Sequence, residues 1–514
     1  LKEKYSSIDK LNATYGTTYS SFETLCTPKG IITNRAEYCL YYDFHLFYRH
    51  YYALYLDTLS KKIKSFGITV QLTHNIPGWI YGNASELPML ITTYEEIMRT
   101  NPEIVFGLDH IPEFVSFRNA HSDLACNKIL EALQPHGTVW AAEFQAGTRE
   151  HHVRCYANDM EIFYVASLAH GLKSFNYYMF SQGINPNGKG YYGKTFYYQT
   201  PLNAKAEQSP LYAVTKKVGA FIRREKDELL LSTTKANIGV GLYKPYFYTE
   251  LTTSQMLKER RLFVEKIGLT IDPRFIREEV LFNGLLRGLQ TLNVNYDIND
   301  LQTTPVNALL KYKQLWVTST EWMDAQTQKL LVSYVKHGGH MILYPAIPVY
   351  DEYLNPCTIL KDELNLQYST SSSNNKVDAF GIEDVFTFFH QKLIFSAEGS
   401  DVVSTTKNGE VCGIQKSVEK GTVTMLGYAF GYTADEHLQL MEKIVSADNI
   451  KKEANVSDPD IQFVIRHGKK YSYMFLLNYH NAKKTFTVDA KKVTLNPFSY
   501  KVIKKKKRSS RVYR

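Results

Sequence analysis

Residues 138–147 read TVWAAEFQAG, a short apolar run that ends at the carboxylate of Glu143. A continuous apolar run of this length is typical of a strand that is covered on both faces, as in a parallel sheet. We therefore expect a buried strand over residues 138–142, with Glu143 at its carboxyl end.

Three further stretches around this strand repeat the pattern. Apolar runs at 68–73, 104–108 and 174–180 end in polar residues, and helices are predicted at about 36–66, 93–100, 118–134 and 157–171. Four consecutive β-α units predict an α/β fold with the C-terminal half of a (β/α)8 barrel over residues 1–232. The other half is expected upstream, since the chain begins with Leu1 and not with Met.

Glu143 is the most informative polar residue because of where it stands. The carboxyl ends of barrel strands are where such folds hold their catalytic groups. A buried carboxylate is expected either to pair with a cation or to take part in catalysis, because an isolated buried charge is costly. Such a residue could serve as the nucleophile of a glycosidase. A structural salt bridge to Arg149 or Arg154 is an equally acceptable interpretation at this point.

The rest of the chain changes character twice. Residues 233–450 carry strand-like runs at 238–243, 292–295, 314–318 and 340–344, with helices at about 253–267, 275–289 and 324–336, which predicts a doubly wound domain with a parallel sheet. Residues 451–503 alternate with period two and predict a small antiparallel β-sandwich. Residues 504–514 form a basic tail that we expect to be solvated and disordered.

Composition excludes several classes of function. The formal net charge is +9, but seven positive charges lie in the tail, so no nucleic-acid groove is predicted. No apolar run approaches the roughly 18–20 residues that span a bilayer. The six cysteines form no CxxC pair and suggest free thiols in a reducing compartment, which favours the cytoplasm. The adjacent His151 and His152 do not predict a metal site, and no cofactor is expected. The many aromatic residues, 38 Tyr and 27 Phe, suit a large core better than a sugar-binding surface.

Three stretches of the first segment resemble β-galactosidases. The opening LKEKY at 1–5, with Leu11-Asn12, Tyr15-Gly16-Thr17 and Pro28, resembles glycoside hydrolase family 42. NYYMF at 176–180, with Gly183 and Asn185, resembles family 35. The EFQAG stretch at 143–147 resembles the nucleophile motif of both families. A mixture of features from the two families is also typical of archaeal exo-β-glucosaminidases.

The later segments carry the same resemblance. Residues between Met323 and Pro345 are similar to the β-galactosidase trimerisation domain, and LNPFSY at 495–500 resembles the C-terminal sandwich of the family. The resemblance implies a homo-oligomer, dimer or trimer, with the middle domain as its platform. Glutamine amidotransferases share this class of domain, but Cys357 does not stand in the tight turn that their nucleophile needs.

The resemblance also implies roles for particular residues. Glu143 would be the nucleophile on the seventh barrel strand, and the acid/base would be a glutamate in an Asn-Glu pair that does not occur in this chain. Glu37 follows an alanine within a predicted helix, downstream of the point where the family places that pair. Residues at the strand ends are expected to contact the sugar: Asn75, Asp109, His110, Tyr178, Phe180, Gln182 and Asn185. For His110, a histidine satisfied within the core is an equally good interpretation.

The expected function is a retaining glycoside hydrolase, similar to β-galactosidase, that cleaves terminal β-linked sugars by double displacement, with its acid/base upstream of residue 1. The alternatives are an exo-β-glucosaminidase, or a noncatalytic sugar-binding or assembly protein if the chain is complete. The substrate is expected to be a carbohydrate, and neither nucleic acid nor membrane is an expected partner. A half-barrel with open edges predicts poor solubility for residues 1–514 alone.

Overall fold

The computed structural model describes residues 1–27, 30–79, 93–148, 155–190, 193–248, 262–272 and 282–507. Its first segment contains seven helices and six strands within those residues. In chain order these are α1 (Lys2–Tyr5), α2 (Ile8–Tyr15), α3 (Arg35–Ser65), β1 (Leu72–Trp79), α4 (Glu95–Thr100), β2 (Ile104–His110), α5 (Ala120–Leu133), β3 (Trp140–Gln145), α6 (Ala157–Ala169), β4 (Ser174–Tyr178), β5 (Gly183–Ile184), β6 (Thr195–Phe196) and α7 (Pro210–Leu229).

Strands β1 to β4 form one parallel sheet in the order β1-β2-β3-β4, which confirms the predicted parallel β-α arrangement. One face packs on the helices, where Phe106, Leu108 and Phe144 are buried. The opposite face is open, and Asn75 and Asn176 are exposed on it. Among the described residues, the sheet therefore presents one apolar face to its helices, and polar side chains line the other face.

The prediction for β1 was wrong by several residues. The strand spans Leu72–Trp79 and not 68–73, because Leu72 is the first residue with a partner on β2, namely Ile104. Ile68 and Val70 lie outside the sheet and are 42% and 66% exposed. Asn75 consequently lies within the strand and does not end it.

The second segment is built on a nine-stranded sheet. Its elements include β7 (Ile238–Leu242), α8 (Leu262–Lys266), α9 (Phe282–Thr291), β8 (Tyr296–Asp300), α10 (Val306–Leu309), β9 (Gln314–Ser319), α11 (Ala325–Lys336), β10 (His340–Pro345) and α12 (Ile359–Glu363). They continue with β11 (Tyr368–Ser372), β12 (Lys376–Ala379), β13 (Ile382–Phe386), β14 (Gln391–Phe395), β15 (Asp401–Thr406), β16 (Val411–Val418), β17 (Gly421–Leu426) and α13 (Asp435–Ala447).

The sheet is parallel only in part, which corrects the prediction of a parallel sheet. Its order is β13-β12-β15-β16-β17-β10-β9-β7-β8, and the five strands from β17 to β8 are parallel. The other four are antiparallel to their neighbours. Short turns cause this: β16 and β17 are joined by two residues, and only antiparallel strands can be joined so closely. The helix predicted at 253–267 is described only at its end, and that at 275–289 begins within the described residues at Phe282.

The crevice where a doubly wound sheet normally binds ligands is filled by aromatic side chains. Strand order reverses at β7, and the carboxyl end of that strand carries Tyr243 and Tyr246. Both rings meet Trp322, which follows β9, with centroids 6.0 and 5.1 Å away. Tyr42 of α3 covers the same indole. The aromatic excess is thus used in the core here, because aromatic rings occupy the crevice at the end of β7.

The last segment contains five strands: β18 (Gln462–His467), β19 (Tyr471–Asn478), β20 (Lys484–Val488), β21 (Lys491–Leu495) and β22 (Ser499–Lys506). Strands β18, β19 and β22 form one antiparallel sheet, and β20 and β21 pair as a hairpin. The prediction of a disordered tail from residue 504 was wrong for its first residues. Lys504 lies in β22 and is the register partner of Tyr473 in β19. Its ammonium contacts Glu225 at 2.7 Å. Residues 508–514 lie outside the described residues.

Buried ion pairs join the first sheet to the second. Lys244, at the end of β7, contacts Glu95 of α4 at 3.0 Å and Asp300 of β8 at 2.8 Å. Arg49 of α3 pairs with the other oxygen of Glu95. Burial lowers the pKa of Lys244, and Asp300 opposes that change. Among the described residues, no helix is long and apolar enough to cross a membrane.

Candidate active site

Glu143 and Asp109 stand side by side on the open face of the first sheet. They are register partners on β3 and β2, so both side chains project from the same side. Asn75 of β1 lies on that side too, and its amide donates to Asp109 Oδ2 over 3.4 Å. Three of the predicted site residues are therefore brought together at this face.

An irregularity in β3 sets the direction of Glu143. Leu108 pairs with Ala141, but Asp109 pairs with Glu143, so β3 has one residue more than β2 at this point. Strict alternation from Ala141 would turn Glu143 towards the helices. The extra residue, Ala142, brings it to the open face, and bulges often re-aim a side chain next to an active site.

Asp109 is a carboxyl group that holds its proton near neutral pH. Burial raises its pKa to about 7, and the nearby Glu143 carboxylate adds to the increase, while Asn75 and His110 oppose it. Its Oδ1 atom is buried and has no hydrogen-bond partner among the described residues. The pair thus combines two carboxyl groups, of which Asp109 keeps its proton below about pH 7.

His110 does not join this face, which corrects the prediction that it contacts substrate. It projects to the helix side, where Nε2 meets Asn127 Oδ1 at 3.0 Å and Asp123 Oδ1 at 3.3 Å. Asp123 also contacts His170 Nδ1 at 2.6 Å. Burial lowers the pKa of His110, but the Asp123 carboxylate favours the charged imidazole more strongly, so the pKa of His110 is raised overall. The alternative interpretation, a satisfied core histidine, is the correct one.

The predicted aromatic contacts lie at the end of β4. Tyr178 is the register partner of Gln145, and its ring meets Tyr197 edge-on with centroids 5.4 Å apart. Phe180 packs on Tyr177 and on Tyr212 of α7. Tyr178 is half-buried beside the open face, whereas Phe180 belongs to the packing between β4 and α7.

Gln182 and Asn185 organise the loop after β4. The Gln182 amide donates to the carbonyl of Tyr197 over 3.1 Å, and Asn185 Nδ2 donates to that of Gly193 over 2.8 Å. These bonds hold the β5–β6 hairpin in place. Both side chains are therefore engaged with backbone in this structure, which argues for a role in shaping the loop.

Two residues near the site were missed by the sequence analysis. The Trp140 indole covers Gly107, where a Cβ would lie only 2.5 Å from the ring, so only glycine fits beneath it. Gln145 is buried, accepts from the backbone of Glu113 over 2.7 Å and donates to Gly147 O over 3.1 Å, which fixes the turn after Glu143. Gly107 within an apolar strand was the feature of the sequence that could have indicated the close contact with Trp140.

Several candidates cannot be placed. Arg149 and Arg154, the proposed salt-bridge partners of Glu143, and the pair His151-His152 lie outside the described residues. Within the residues that the structure does describe, no group of three or more His, Cys, Asp or Glu could hold a metal ion.

Comparison with known proteins identifies two family segments. Residues 1–197 match the glycoside hydrolase family 42 model described as "Beta-galactosidase", and residues 265–401 match "GLMA-like, second domain". A β-1,2-glucosyltransferase of Ignavibacterium album is 60% identical over 98% of this chain and 72% of its own length. An exo-β-D-glucosaminidase of Pyrococcus horikoshii is 24% identical over 93% of this chain and 60% of its own length.

Solved structures show the same fold at low identity. A family 42 β-galactosidase of G. stearothermophilus superposes with a TM-score of 0.77 at 13% identity, over 98% of this chain and 75% of that one. The enzyme of Rahnella sp. R3 gives 0.75 at 12%, over 98% and 74%. With the identity to the Ignavibacterium protein and the match over residues 1–197, the chain belongs to the family 42-like group of carbohydrate-active enzymes.

Proposed function

We propose that this chain supplies the nucleophile side of a retaining active site that transfers or hydrolyses terminal β-linked sugar units. The observation that carries the proposal is the pairing of Glu143 and Asp109 on one open face at the carboxyl ends of parallel strands. Glu143 is the proposed nucleophile. Asp109, protonated near neutral pH, is proposed to donate a hydrogen bond to a sugar hydroxyl, since its Oδ1 atom has no described partner.

The proposed chemistry proceeds in two steps. A Glu143 oxygen attacks the anomeric carbon, the bond to the leaving oxygen breaks, and that oxygen takes a proton from the acid/base group. A hydroxyl then attacks the glycosyl ester and gives its proton to the same group, which releases Glu143. When the hydroxyl belongs to a sugar the reaction is transfer, and when it belongs to water the reaction is hydrolysis.

We propose that the acid/base group comes from a further half-barrel. Among the described residues, the outer edges of β1 and β4 pair with no other strand of this sheet. The polar face that carries Glu143 is open, as expected for a wall that a second set of strands would close. The role of Asn75 and Tyr178 as sugar contacts is proposed on the same ground, because both lie at this face.

Glucose is the proposed sugar. The relative at 60% identity is named a β-1,2-glucosyltransferase, whereas galactose is supported only by a family model and by structures at 13% identity or less. An exo-β-glucosaminidase is the second candidate, favoured by relatives of that name in Pyrococcus and Thermococcus at 24% and 26% identity. The family resemblance of the middle segment further favours a dimer or trimer of the chain.

A product analysis tests the proposal. The protein, expressed with any in-frame coding sequence that precedes Leu1, is incubated with the β-1,2-linked disaccharide of glucose as donor and acceptor. We expect longer β-1,2-linked products, none with Glu143→Gln, and less turnover of the matching galactoside and glucosaminide. Binding of the disaccharide without any turnover would favour the noncatalytic alternative, and preference for the glucosaminide would favour the second candidate.

A further inference from the structure

A cavity of about 270 Å³ lies where all three segments of the chain meet, away from Glu143. Phe117 and His121 contribute to it from the loop after β2 and the start of α5. Arg287 and Gln290 of α9 form a second wall. Tyr479, just after β19, closes it from the C-terminal sheet. The volume is close to the lower end of the range for small-ligand sites, about 300–1,000 Å³.

Buried polar atoms without partners cluster at this cavity. Gln290 Oε1, Tyr479 Oη and Arg287 Nε are all buried and have no hydrogen-bond partner among the described residues. Gln290 is 7% exposed and Tyr479 is 4% exposed. A buried polar group that stays unpaired lowers the stability of the fold, and native proteins contain few of them. Three of them belong to residues that line this one cavity.

His121 adds a fourth polar group to the wall. It is 3% exposed, and neither ring nitrogen has a partner with hydrogen-bond geometry, although the side chain of Asn283 lies beside it. Burial lowers its pKa to about 3, and the charge of Arg287 lowers it further, so the imidazole is neutral. It therefore offers one donor and one acceptor.

The wall thus presents a mixed set of hydrogen-bonding groups. Arg287 donates, Gln290 Oε1 accepts, and Tyr479 and His121 can do either. The one cation is partly offset by Asp460, which lines the cavity and pairs with Lys484. Hydroxyl groups, which both donate and accept, match this set better than an anion does.

Aromatic rings stand beside these groups. Phe117 is 51% exposed and stacks on His480 with centroids 5.1 Å apart and planes 2° apart. Tyr432 carries the Arg287 guanidinium over its ring at 4.4 Å. A ring face next to convergent polar groups suits a ligand with an apolar C–H face and hydroxyls at its rim.

We propose that this cavity is a second carbohydrate-binding site, which takes one neutral hexose unit. The choice of a hexose rests on the proposed function, whereas the existence of the site rests on the cavity itself. The 111–119 loop joins it to β2, the strand that carries Asp109.

Hydrogen exchange read by mass spectrometry tests the site. The probe is methyl β-D-glucopyranoside, added to the Glu143→Gln protein so that no turnover occurs. We expect protection in peptides that contain residues 117–121 and 287–291. Tyr479→Phe is expected to weaken that protection about tenfold in probe concentration. Tyr344→Phe, which also deletes a buried hydroxyl without a described partner but lies in β10, is the matched control and should leave it unchanged.

The outcomes separate this site from the proposed function. Equal responses of Tyr479→Phe and Tyr344→Phe, or protection by inorganic phosphate and not by the glucoside, would overturn the second site. Gln290→Leu deletes a different wall group and decides the matter if Tyr479→Phe does not fold. Covalent labelling of Glu143 by a substrate analogue is independent: labelling without protection at 117–121 refutes only the second site, and protection without labelling refutes only the proposed function.

Discussion

At the scale of single residues, the proposed active site depends on a carboxyl pair that one extra residue in β3 creates. Ala142 places Glu143 on the face of Asp109, and the proximity of the two groups contributes to the raised pKa of Asp109. Alternation along the sequence could identify Glu143 as the end of an apolar run, but it could not show which way the side chain points. Bulges depend on the pairing of neighbouring strands, which periodicity within one strand does not reveal.

Asp109→Asn changes how stability depends on pH. The folded protein keeps a proton on Asp109 up to a pH of about 7, whereas the unfolded chain loses it near its ordinary value of 3.8. The free energy of unfolding therefore falls as the pH rises from about 4 to 7 and is constant in this respect above 7. Urea unfolding of the Asn variant should show a smaller fall over that window. An unchanged slope would mean that Asp109 is ionised in the folded protein.

The position of the His110 side chain could not be predicted from the sequence either. The sequence places it next to Asp109 at the end of one strand, and the two side chains leave on opposite faces. The polar partners that satisfy it, Asn127 and Asp123, come from a helix that begins ten residues later. Nothing in the strand itself distinguishes a buried histidine with such partners from one that contacts substrate.

At the scale of elements, α3 carries an unusual exposed stripe. Phe47, Tyr51 and Leu54 are 59%, 58% and 52% exposed, and with Phe44, Tyr48, Tyr55 and Leu59 they follow the spacing of one helix face. Apolar patches of this kind mark surfaces that another polypeptide covers. The sequence predicted the amphipathic helix, but its pattern could not show that one aromatic side would stay uncovered.

The stripe leads to a prediction about association. Residues 1–514 alone should self-associate, and the combined change Phe47→Glu, Tyr51→Lys and Leu54→Glu should raise the monomer fraction in light scattering. Leu231→Glu is the matched control, since Leu231 is 80% exposed but lies away from α3 and should have no effect. A monodisperse monomer of the unaltered chain would contradict the idea that this face is normally covered.

At the scale of the whole molecule, buried charges join the first sheet to the nine-stranded one. The order of the segments and the parallel strands could be predicted, because each leaves a local pattern of apolar runs and turns. The contacts between segments could not, because Lys244, Glu95 and Asp300 come from three separate parts of the chain. The antiparallel half of the second sheet was missed because only the short turns between its strands distinguish them from parallel strands.

Lys244→Met should destabilise this junction. The change leaves Glu95 and Asp300 buried with one cation fewer, and breaking such a pair costs about 3–5 kcal/mol. Lys407→Met is the matched control, because Lys407 pairs with Asp378 and Asp384 at the surface, where water screens the attraction, and the change should leave the midpoint nearly unaltered. The midpoint of the first urea transition measures both. Equal midpoints would show that the buried network does not hold the segments together.

Glu143 is proposed to form a covalent bond to the sugar, and trapping that bond is the decisive experiment. A 2-deoxy-2-fluoro-β-glucosyl fluoride, which glycosylates the nucleophile with loss of fluoride and is hydrolysed from it slowly, is added to the protein expressed with any preceding coding sequence, and the digest is read by mass spectrometry. We expect one labelled peptide, with the sugar on Glu143, and no label after Glu143→Gln. A label on another carboxylate, or none in a preparation that turns over the glucosyl donor, would contradict it.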